Sequence, residues 1–238
     1  MQNKIWVIGD SHARSFSYNN NFIPIFMGSG KTHCFVDDKC MSNVISKAFS
    51  LIDVITAQDL ILFCLGEPDT RFYYKELSKV QTGIAGVWTF LQNNPSILVN
   101  GRIKIKNSFM RYCQLIDKIK AKTNIRMLVL NILPSNRKDQ NRLVNYFNKL
   151  LLDFCSNKKC VEFIDINTAI YNSDTEIIKD EYFGDKVHLN MKIQLLVEAW
   201  LIERGIIEKS FYDKENKIDN NEIKRNFKFN EQFGCYTL

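Results

Sequence analysis

A serine with the chemistry of a nucleophile, Ser11, stands in the sequence Gly9-Asp10-Ser11-His12. The apolar residues at 5–8 predict a short buried strand before it, and a helical pattern begins near Ala13. A serine on such a strand-to-helix turn exposes its hydroxyl at the carboxyl edge of a sheet. Its backbone N–H then lies near a helix N-terminus, where developing negative charge is stabilised. The sequence is not Gly-x-Ser-x-Gly, so the nucleophile turn of α/β-hydrolases is not predicted. The alternative is that Asp10 and Ser11 only cap the helix.

A histidine suited to proton transfer, His188, follows Asp185 by three residues at the predicted start of the last helix. This spacing can place both side chains on one side of a turn. The carboxylate can then fix the tautomer of the imidazole while the other ring nitrogen faces a nucleophile. The alternative is a helix cap followed by a surface histidine.

Charged residues follow a second buried strand, predicted at 59–65. The segment Gly66-Glu67-Pro68-Asp69-Thr70-Arg71 is predicted to be a loop at the end of that strand, where open α/β sheets bind ligands. The alternative is a proline-containing turn with a surface ion pair.

A glycine-containing segment, Gly28-Ser29-Gly30-Lys31-Thr32, is similar to a phosphate-binding loop. Ile25, however, stands where that motif requires a glycine, and the residues that follow favour an extended chain over a helix. The alternative is that Gly28 or Gly30 brings a backbone N–H close to a ligand.

Strands and helices alternate along the chain. Apolar runs predict further strands at 125–130 and 160–164, and either a strand or a buried loop at 21–26. Amphipathic patterns predict helices at 41–57, 108–123, 136–157 and after Asn190. The alternation predicts an α/β fold, a three-layer α/β/α sandwich with a parallel, flavodoxin-like central sheet. Right-handed crossovers would bring Ser11, residues 66–71 and Asn131 to one rim.

Composition favours an ordinary globular protein. With 45% hydrophobic and 24% charged residues, the 238-residue chain can bury the core of one domain. The net charge of +6 permits an anionic partner, but no long basic run favours nucleic acid. No apolar run is long enough to span a membrane and no signal peptide is recognised, so a cytoplasmic location is expected.

Cysteine usage argues against a disulfide framework or a zinc site. The 7 cysteines are odd in number and include no Cys-x-x-Cys pair, which favours free thiols. No second His/Cys pair complements His33-Cys34 at ligand spacing. We therefore predict neither a metal nor a cofactor.

Two segments interrupt the alternation. Residues 72–106 contain several aromatic residues and glycine breakers, which predicts an insert in a domain spanning 1–207, as a lid or a side wall. Its aromatic residues either stack on a ligand or form the core of the insert. Residues 208–238 mix both charges with asparagine and aromatic residues, which predicts a C-terminal extension that packs on the domain or is partly mobile.

Taken in order, these motifs resemble the SGNH, or GDSL-like, hydrolase superfamily. The resemblance spans about residues 4–204 and is carried by Gly9-Asp10-Ser11-His12 and Asp185-x-x-His188. It implies that Ser11 is the nucleophile, that His188 is the general base and that Asp185 orients His188. It also implies an oxyanion hole formed by the Ser11 N–H and an N–H of Gly28 or Gly30.

The Gly-Glu-x-Asp-x-Arg form of residues 66–71 is similar to a subgroup associated with bacterial surface-polysaccharide biosynthesis. The superfamily usually has Gly-x-Asn-Asp here, and its asparagine is an oxyanion donor, whereas this chain has Pro68. Losing one such donor costs about 100-fold to 1,000-fold in rate. Either Arg71 or another group replaces the donor, or the protein is slow, specialised or inactive. Glu67 cannot donate when ionised, and we predict substrate-binding roles for Glu67, Asp69 and Arg71.

The sequence thus predicts a serine esterase or acyltransferase that acts on an acylated carbohydrate through an acyl-enzyme on Ser11. Hydrolysis and transfer share that intermediate and remain alternatives. A second hypothesis is a catalytically inactive carbohydrate-binding domain of the same fold. A third is nucleotide binding at residues 28–32. The expected partner is a carbohydrate or another small molecule, and the oligomeric state stays open.

Overall fold

A parallel sheet forms the centre of the molecule. The structure, a computed structural model, describes residues 4–18, 21–27, 38–79, 95–172, 174–175, 177–184, 188–207, 228–230 and 235–237. Five parallel strands lie in the order β5-β4-β3-β1-β2. They are β1 (Ile5–Gly9), β2 (Phe22–Phe26), β3 (Leu60–Cys64), β4 (Arg126–Leu130) and β5 (Val161–Ile164). Helices flank this sheet, so the predicted three-layer α/β/α sandwich is confirmed.

Helices connect the strands on both faces of the sheet. A 3₁₀ helix (Ser11–Phe16) follows β1 directly, and a second one (Asp180–Tyr182) precedes the segment that contains His188. The α-helices are α1 (Asp38–Ile52), α2 (Glu67–Lys79), α3 (Pro95–Lys122), α4 (Lys138–Ser156), α5 (Asn167–Ile170) and α6 (Lys192–Glu203). A two-stranded ribbon of β6 (Tyr171–Asn172) and β7 (Ile177–Ile178) lies between α5 and the second 3₁₀ helix.

The alternation of side chains along β1 divides the hydrophobic core into two layers. Trp6 and Ile8 belong to one buried cluster, which includes residues of α1, α3 and α4. Ile5 and Val7 belong to the other cluster, which includes residues of the first 3₁₀ helix and α6. Both faces of β1 are therefore buried, as expected for a central parallel strand. This burial fixes the position of the turn that follows at Gly9.

The register aligns the carboxyl ends of the three central strands. Gly9 is paired with Phe26 of β2 and with Cys64 of β3. The segments that leave β1 and β3 therefore begin at the same level of the sheet. This places the start of α2 beside the turn that contains Ser11.

The structure corrects two predictions about α2 and α3. Residues 67–71, predicted as a loop, are the first turns of α2, where Pro68 is tolerated because an N–H in the first turn has no intrahelical partner. The helix α3 runs through Gly101, predicted as a breaker, and so begins well before the expected residue 108. A helical glycine costs only about 1 kcal/mol relative to alanine. Downstream, Ile105 and Tyr112 are fully buried in the core, and this packing outweighs that cost.

The predicted insert and C-terminal extension are described in part. Residues 72–79 and 95–106 belong to α2 and α3, whereas 80–94 lie outside the described residues. In the extension, β9 (Cys235–Thr237) pairs in parallel with β2, and β8 (Lys228–Asn230) pairs antiparallel with β9. Two short segments of the extension thus continue the sheet beyond β2. None of the helices in the described parts of the chain is both long and apolar enough to cross a membrane.

Candidate active site

The turn after β1 is built around a close backbone contact at Gly9. A Cβ atom at this position would lie 2.7 Å from the Cβ of Ala13 and 2.8 Å from the carbonyl oxygen of Cys64. Only glycine avoids both contacts. The chain can therefore turn sharply from β1 into the 3₁₀ helix, and Ser11 is its first residue.

Asp10 holds this turn through a single carboxylate oxygen. Oδ1 accepts the backbone N–H of His12 at 2.9 Å and lies 3.1 Å from Nδ1 of the same histidine. Asp10 is the N-cap of the 3₁₀ helix, so the capping role considered for Asp10 and Ser11 belongs to Asp10. The Ser11 side chain is not used as a cap.

The side chains of Ser11 and His188 lie next to each other although the two residues are 177 positions apart in the sequence. The Nε2 atom of His188 lies 3.1 Å from Oγ of Ser11. Ser11 and His188 are both half-buried, so the pair is reachable from solvent. The distance is that of a hydrogen bond, as a nucleophile and its general base require.

The backbone around His188 is tied to the rest of the molecule. The buried hydroxyl of Ser15, on the first 3₁₀ helix, donates to the carbonyl oxygen of Leu189 at 2.8 Å. Leu189 also forms a β-bridge with Phe183, and the N–H of Gly184 donates to the carbonyl oxygen of His188 at 2.8 Å. The helix that begins with Ser11 therefore also anchors the segment that carries His188.

A charged group from α2 is buried close enough to His12 to act on it electrostatically. Glu67 is only 5% exposed, and its Oε1 accepts from Nε2 of Gln140 on α4 at 3.3 Å. Its Oε2 lies 3.3 Å from a guanidinium nitrogen of Arg71, one helical turn later. The Glu67–Arg71 pair is thus not a surface ion pair, because its carboxylate is inside the protein.

Buried charges shift the proton affinities of this group. Burial lowers the pKa of His12, but the hydrogen bond and charge of Asp10 and the charge of Glu67 outweigh burial and raise that pKa above 6.5. Burial raises the pKa of Glu67, and the positive charges of His12 and Arg71 offset this only in part. Both shifts favour the protonated forms. His12 therefore retains its proton to a higher pH than an exposed histidine does, and Glu67 to a higher pH than an exposed glutamate does.

Asp69 does not line the site. Its side chain is fully buried, and its Oδ1 accepts from the hydroxyl of Ser108 on α3 at 3.2 Å. The same hydroxyl lies 3.1 Å from the hydroxyl of Tyr73. We therefore assign Asp69 to the packing of α2 against α3, because a fully buried carboxylate cannot contact a substrate. Three other predicted site residues, Gly28, Gly30 and Asp185, lie outside the described residues.

Three residues that the sequence analysis did not single out belong to this region. His12 carries one signal in the sequence, its spacing of two from Asp10, which allows a local carboxylate–imidazole pair. Ser15 and Gln140 carry none, because their partners lie 174 and 73 residues away. Within the described residues, no group of three His, Cys, Asp or Glu side chains could hold a metal ion.

Comparison with solved structures identifies the fold. The chain is similar to a GDSL-like lipase from Bacteroides thetaiotaomicron VPI-5482, with 17% identity and a TM-score of 0.53 over 86% of this chain and 87% of that one. It is also similar to a provisionally assigned acylhydrolase from Bacteroides fragilis NCTC 9343, with 16% identity and a TM-score of 0.57 over 86% of both chains. The fold of this chain is thus similar to the folds of these two proteins.

A third similar structure, provisionally assigned as a platelet activating factor from Streptococcus pneumonia, has 15% identity and a TM-score of 0.54 over 86% of this chain and 84% of that one. No protein-family model matches the sequence, and no curated protein sequence does. The GDSL-like likeness is thus one of backbone architecture. The assignment of roles within it depends on the side-chain geometry around Ser11.

Proposed function

We propose that this protein is a serine esterase or O-acyltransferase that acts on an acylated carbohydrate through an acyl-enzyme on Ser11. The observation that carries the proposal is the 3.1 Å distance between Oγ of Ser11 and Nε2 of His188. The GDSL-like fold supports the hydrolase class. The likeness of residues 66–71 to the polysaccharide-associated subgroup supports a carbohydrate substrate.

In the first half of the reaction, Nε2 of His188 accepts the hydroxyl proton of Ser11 as Oγ attacks the ester carbonyl carbon. The carbonyl oxygen becomes an oxyanion. When this tetrahedral intermediate collapses, the bond to the alcohol oxygen breaks and His188 returns the proton to that oxygen. The alcohol leaves, and the acyl group remains bound to Ser11 as an ester.

In the second half, His188 accepts a proton from the incoming hydroxyl, and the hydroxyl oxygen attacks the acyl-enzyme. Water gives a free acid, and a sugar hydroxyl gives a new ester. In both cases the Ser11–acyl bond breaks and the proton returns to Oγ of Ser11. Asp185 is proposed to hold the proton on the other ring nitrogen of His188, as the superfamily resemblance implies.

Stabilisation of the oxyanion is assigned to the Ser11 N–H and an N–H of Gly28 or Gly30. Pro68 supplies no donor. Arg71 is the proposed replacement or the binding group for an anionic part of the substrate, since its side chain is 27% exposed and a guanidinium stays charged. Glu67 is proposed to hold Arg71 in place through their ion pair.

Covalent labelling with a fluorophosphonate tests the nucleophile. We expect one label per chain in the wild type, none in Ser11→Ala, and labelling slowed by at least about 100-fold in His188→Gln because the general base is lost. Ser17→Ala is the matched control, since Ser17 is a buried serine whose hydroxyl donates locally to the carbonyl of Arg14. Labelling of Ser11→Ala at the wild-type rate would contradict the proposal.

Pro68 stands where the superfamily usually has an asparagine that donates to the oxyanion. The missing donor favours one alternative, a carbohydrate-binding domain without catalysis. This alternative predicts saturable sugar binding with no labelling of Ser11. If labelling occurs, incubation with an acetylated oligosaccharide and an unacetylated acceptor separates the two enzyme classes by mass spectrometry. Released acetate identifies an esterase, and an acetylated acceptor identifies a transferase.

A further inference from the structure

A second histidine lies inside the protein next to the proposed base. His12 directly follows the nucleophile and is only 2% exposed. The centroid of its ring lies 5.6 Å from that of His188, with the two ring planes inclined by 46°. The proposed mechanism gives His12 no role, although a buried histidine this close to a general base influences its protonation.

The charged groups around His12 come from three elements. The turn after β1 contributes Asp10, bonded to Nδ1 at 3.1 Å, and α2 contributes Glu67 and Arg71. The segment before α6 contributes His188. The carboxylates of Asp10 and Glu67 favour a proton on His12, and the guanidinium of Arg71 disfavours it. With His12 protonated, the two acids and two cations of this group balance in charge.

We propose that His12 is a positioning residue of this site: paired with the carboxylate of Asp10, it carries a positive charge beside His188 and keeps His188 in its neutral, proton-accepting form. Two like charges at this separation repel, so a proton on His12 disfavours a proton on His188. Removing the charge of His12 leaves a net negative group behind the base, which would then retain its proton to higher pH. The proposal rests on the proposed function, because it takes His188 as the base.

A proton titration followed by NMR tests this directly in the full chain. The protein has three histidines, so single substitutions of His12, His33 and His188 assign every imidazole signal. In His12→Gln we expect the titration midpoint of His188 to rise by about 0.5 to 2 pH units, the range for unit charges at this spacing in a medium between protein and water. The control His33→Gln is expected to leave the midpoints of His12 and His188 unchanged.

The wild-type curves give a second readout that does not depend on the folding of His12→Gln, because the His33 and His188 variants assign the signal of His12 by elimination. The signal of His188 is expected to show an additional inflection at the midpoint of His12, because the two protons are coupled. In Glu67→Gln, which keeps an amide beside Gln140, the midpoint of His12 is expected to fall. The proposal is overturned if His188 titrates alike in His12→Gln and His33→Gln, or if its wild-type curve shows no inflection at the His12 midpoint.

The rate of fluorophosphonate labelling against pH separates this inference from the proposed function. If both hold, the acid limb of the wild-type profile moves to higher pH in His12→Gln by the shift that NMR gives for His188. A chain whose histidines are coupled but whose Ser11 is never labelled would contradict the proposed function alone. Labelling with an unmoved acid limb would contradict the role of His12 alone.

Discussion

The turn that carries Ser11 and the segment that carries His188 are held in different ways. The turn combines local contacts with one neighbouring strand: Gly9 closely approaches Ala13 and the carbonyl oxygen of Cys64, and Asp10 caps a helix that begins one residue later. The segment around His188 depends on a bond from Ser15, 174 residues away in sequence.

Because of this difference, we expect the two halves of the site to respond differently to substitution. The turn depends on close packing against Ala13 and Cys64, so one added atom at Gly9 disturbs it. The His188 segment depends on a distant partner, so its geometry depends on the packing of the 3₁₀ helix against α6. We expect substitution of Gly9 to affect stability first and substitution of Ser15, behind His188, to affect catalysis first.

The largest effect is expected from Gly9→Ala. Its Cβ would lie 2.7 Å and 2.8 Å from two neighbouring atoms, so the backbone must move, and we expect a loss of about 1 to 3 kcal/mol in the free energy of unfolding. Urea unfolding measures it. Gly184→Ala is the matched control in the other region, because its Cβ would have only ordinary contacts at 3.6 Å. Equal losses in both variants would remove the distinction between the two regions.

Ser15→Ala tests the long-range hydrogen bond from Ser15 to the carbonyl oxygen of Leu189. It leaves the carbonyl of Leu189 without this buried hydrogen bond, at an expected cost of about 1 to 2 kcal/mol in unfolding free energy. We also expect a lower kcat with little change in KM, because His188 is less well placed against Ser11. Ser17→Ala removes only a local bond and should retain the wild-type kcat. A wild-type kcat in Ser15→Ala would show that the Ser15–Leu189 hydrogen bond does not position His188.

Arg71 tests whether α2 takes part in the chemistry at the turn. Arg71→Lys keeps the charge but loses the planar guanidinium, so we expect it to reduce kcat/KM by about tenfold, nearly as much as Arg71→Ala. The comparison of the two variants is made on the ester substrate that the wild type turns over. Full activity in both Arg71→Lys and Arg71→Ala would show that Arg71 has no role beyond its ion pair with Glu67.

The smallest effect is expected in the pH dependence of stability. Because the pKa of His12 is raised above 6.5 in the folded state, its contribution to stability is fully present below that value. The contribution is lost as the pH rises through the higher folded-state pKa. The stability difference between the wild type and His12→Gln should therefore shrink as the pH rises above 6.5, as measured by urea unfolding. A difference that grows with pH would contradict the raised pKa.

The sequence predicts the local half of the site better than the distant half. The apolar run before Gly9 predicts β1, and the Gly-Asp-Ser-His motif predicts a turn, because both depend on neighbouring residues. Nothing in the sequence around Ser15 predicts its bond to Leu189. The inward position of His12 is also invisible in the sequence, since the same Asp-x-His spacing suits an exposed cap.

The misplaced start of α2 has a similar origin. Residues 66–71 contain a glycine, a proline and three charged residues, a composition typical of loops. In the structure Glu67 is buried against Gln140, and Asp69 is bonded to Ser108. Both partners come from other helices, so tertiary contacts favour a helix where local composition favours a loop. The same contacts take Asp69 out of the site.

The separation of 177 residues between Ser11 and His188 also sets when the site can first exist. During synthesis at ordinary rates, about 10 to 40 s pass before His188 has been added to the growing chain. Until then the hydroxyl of Ser11 has no proposed base beside it. The α/β layers must also close before the two side chains meet. An unfinished or proteolytically shortened chain that lacks the His188 segment would therefore lack the hydrogen bond through which His188 is proposed to activate Ser11.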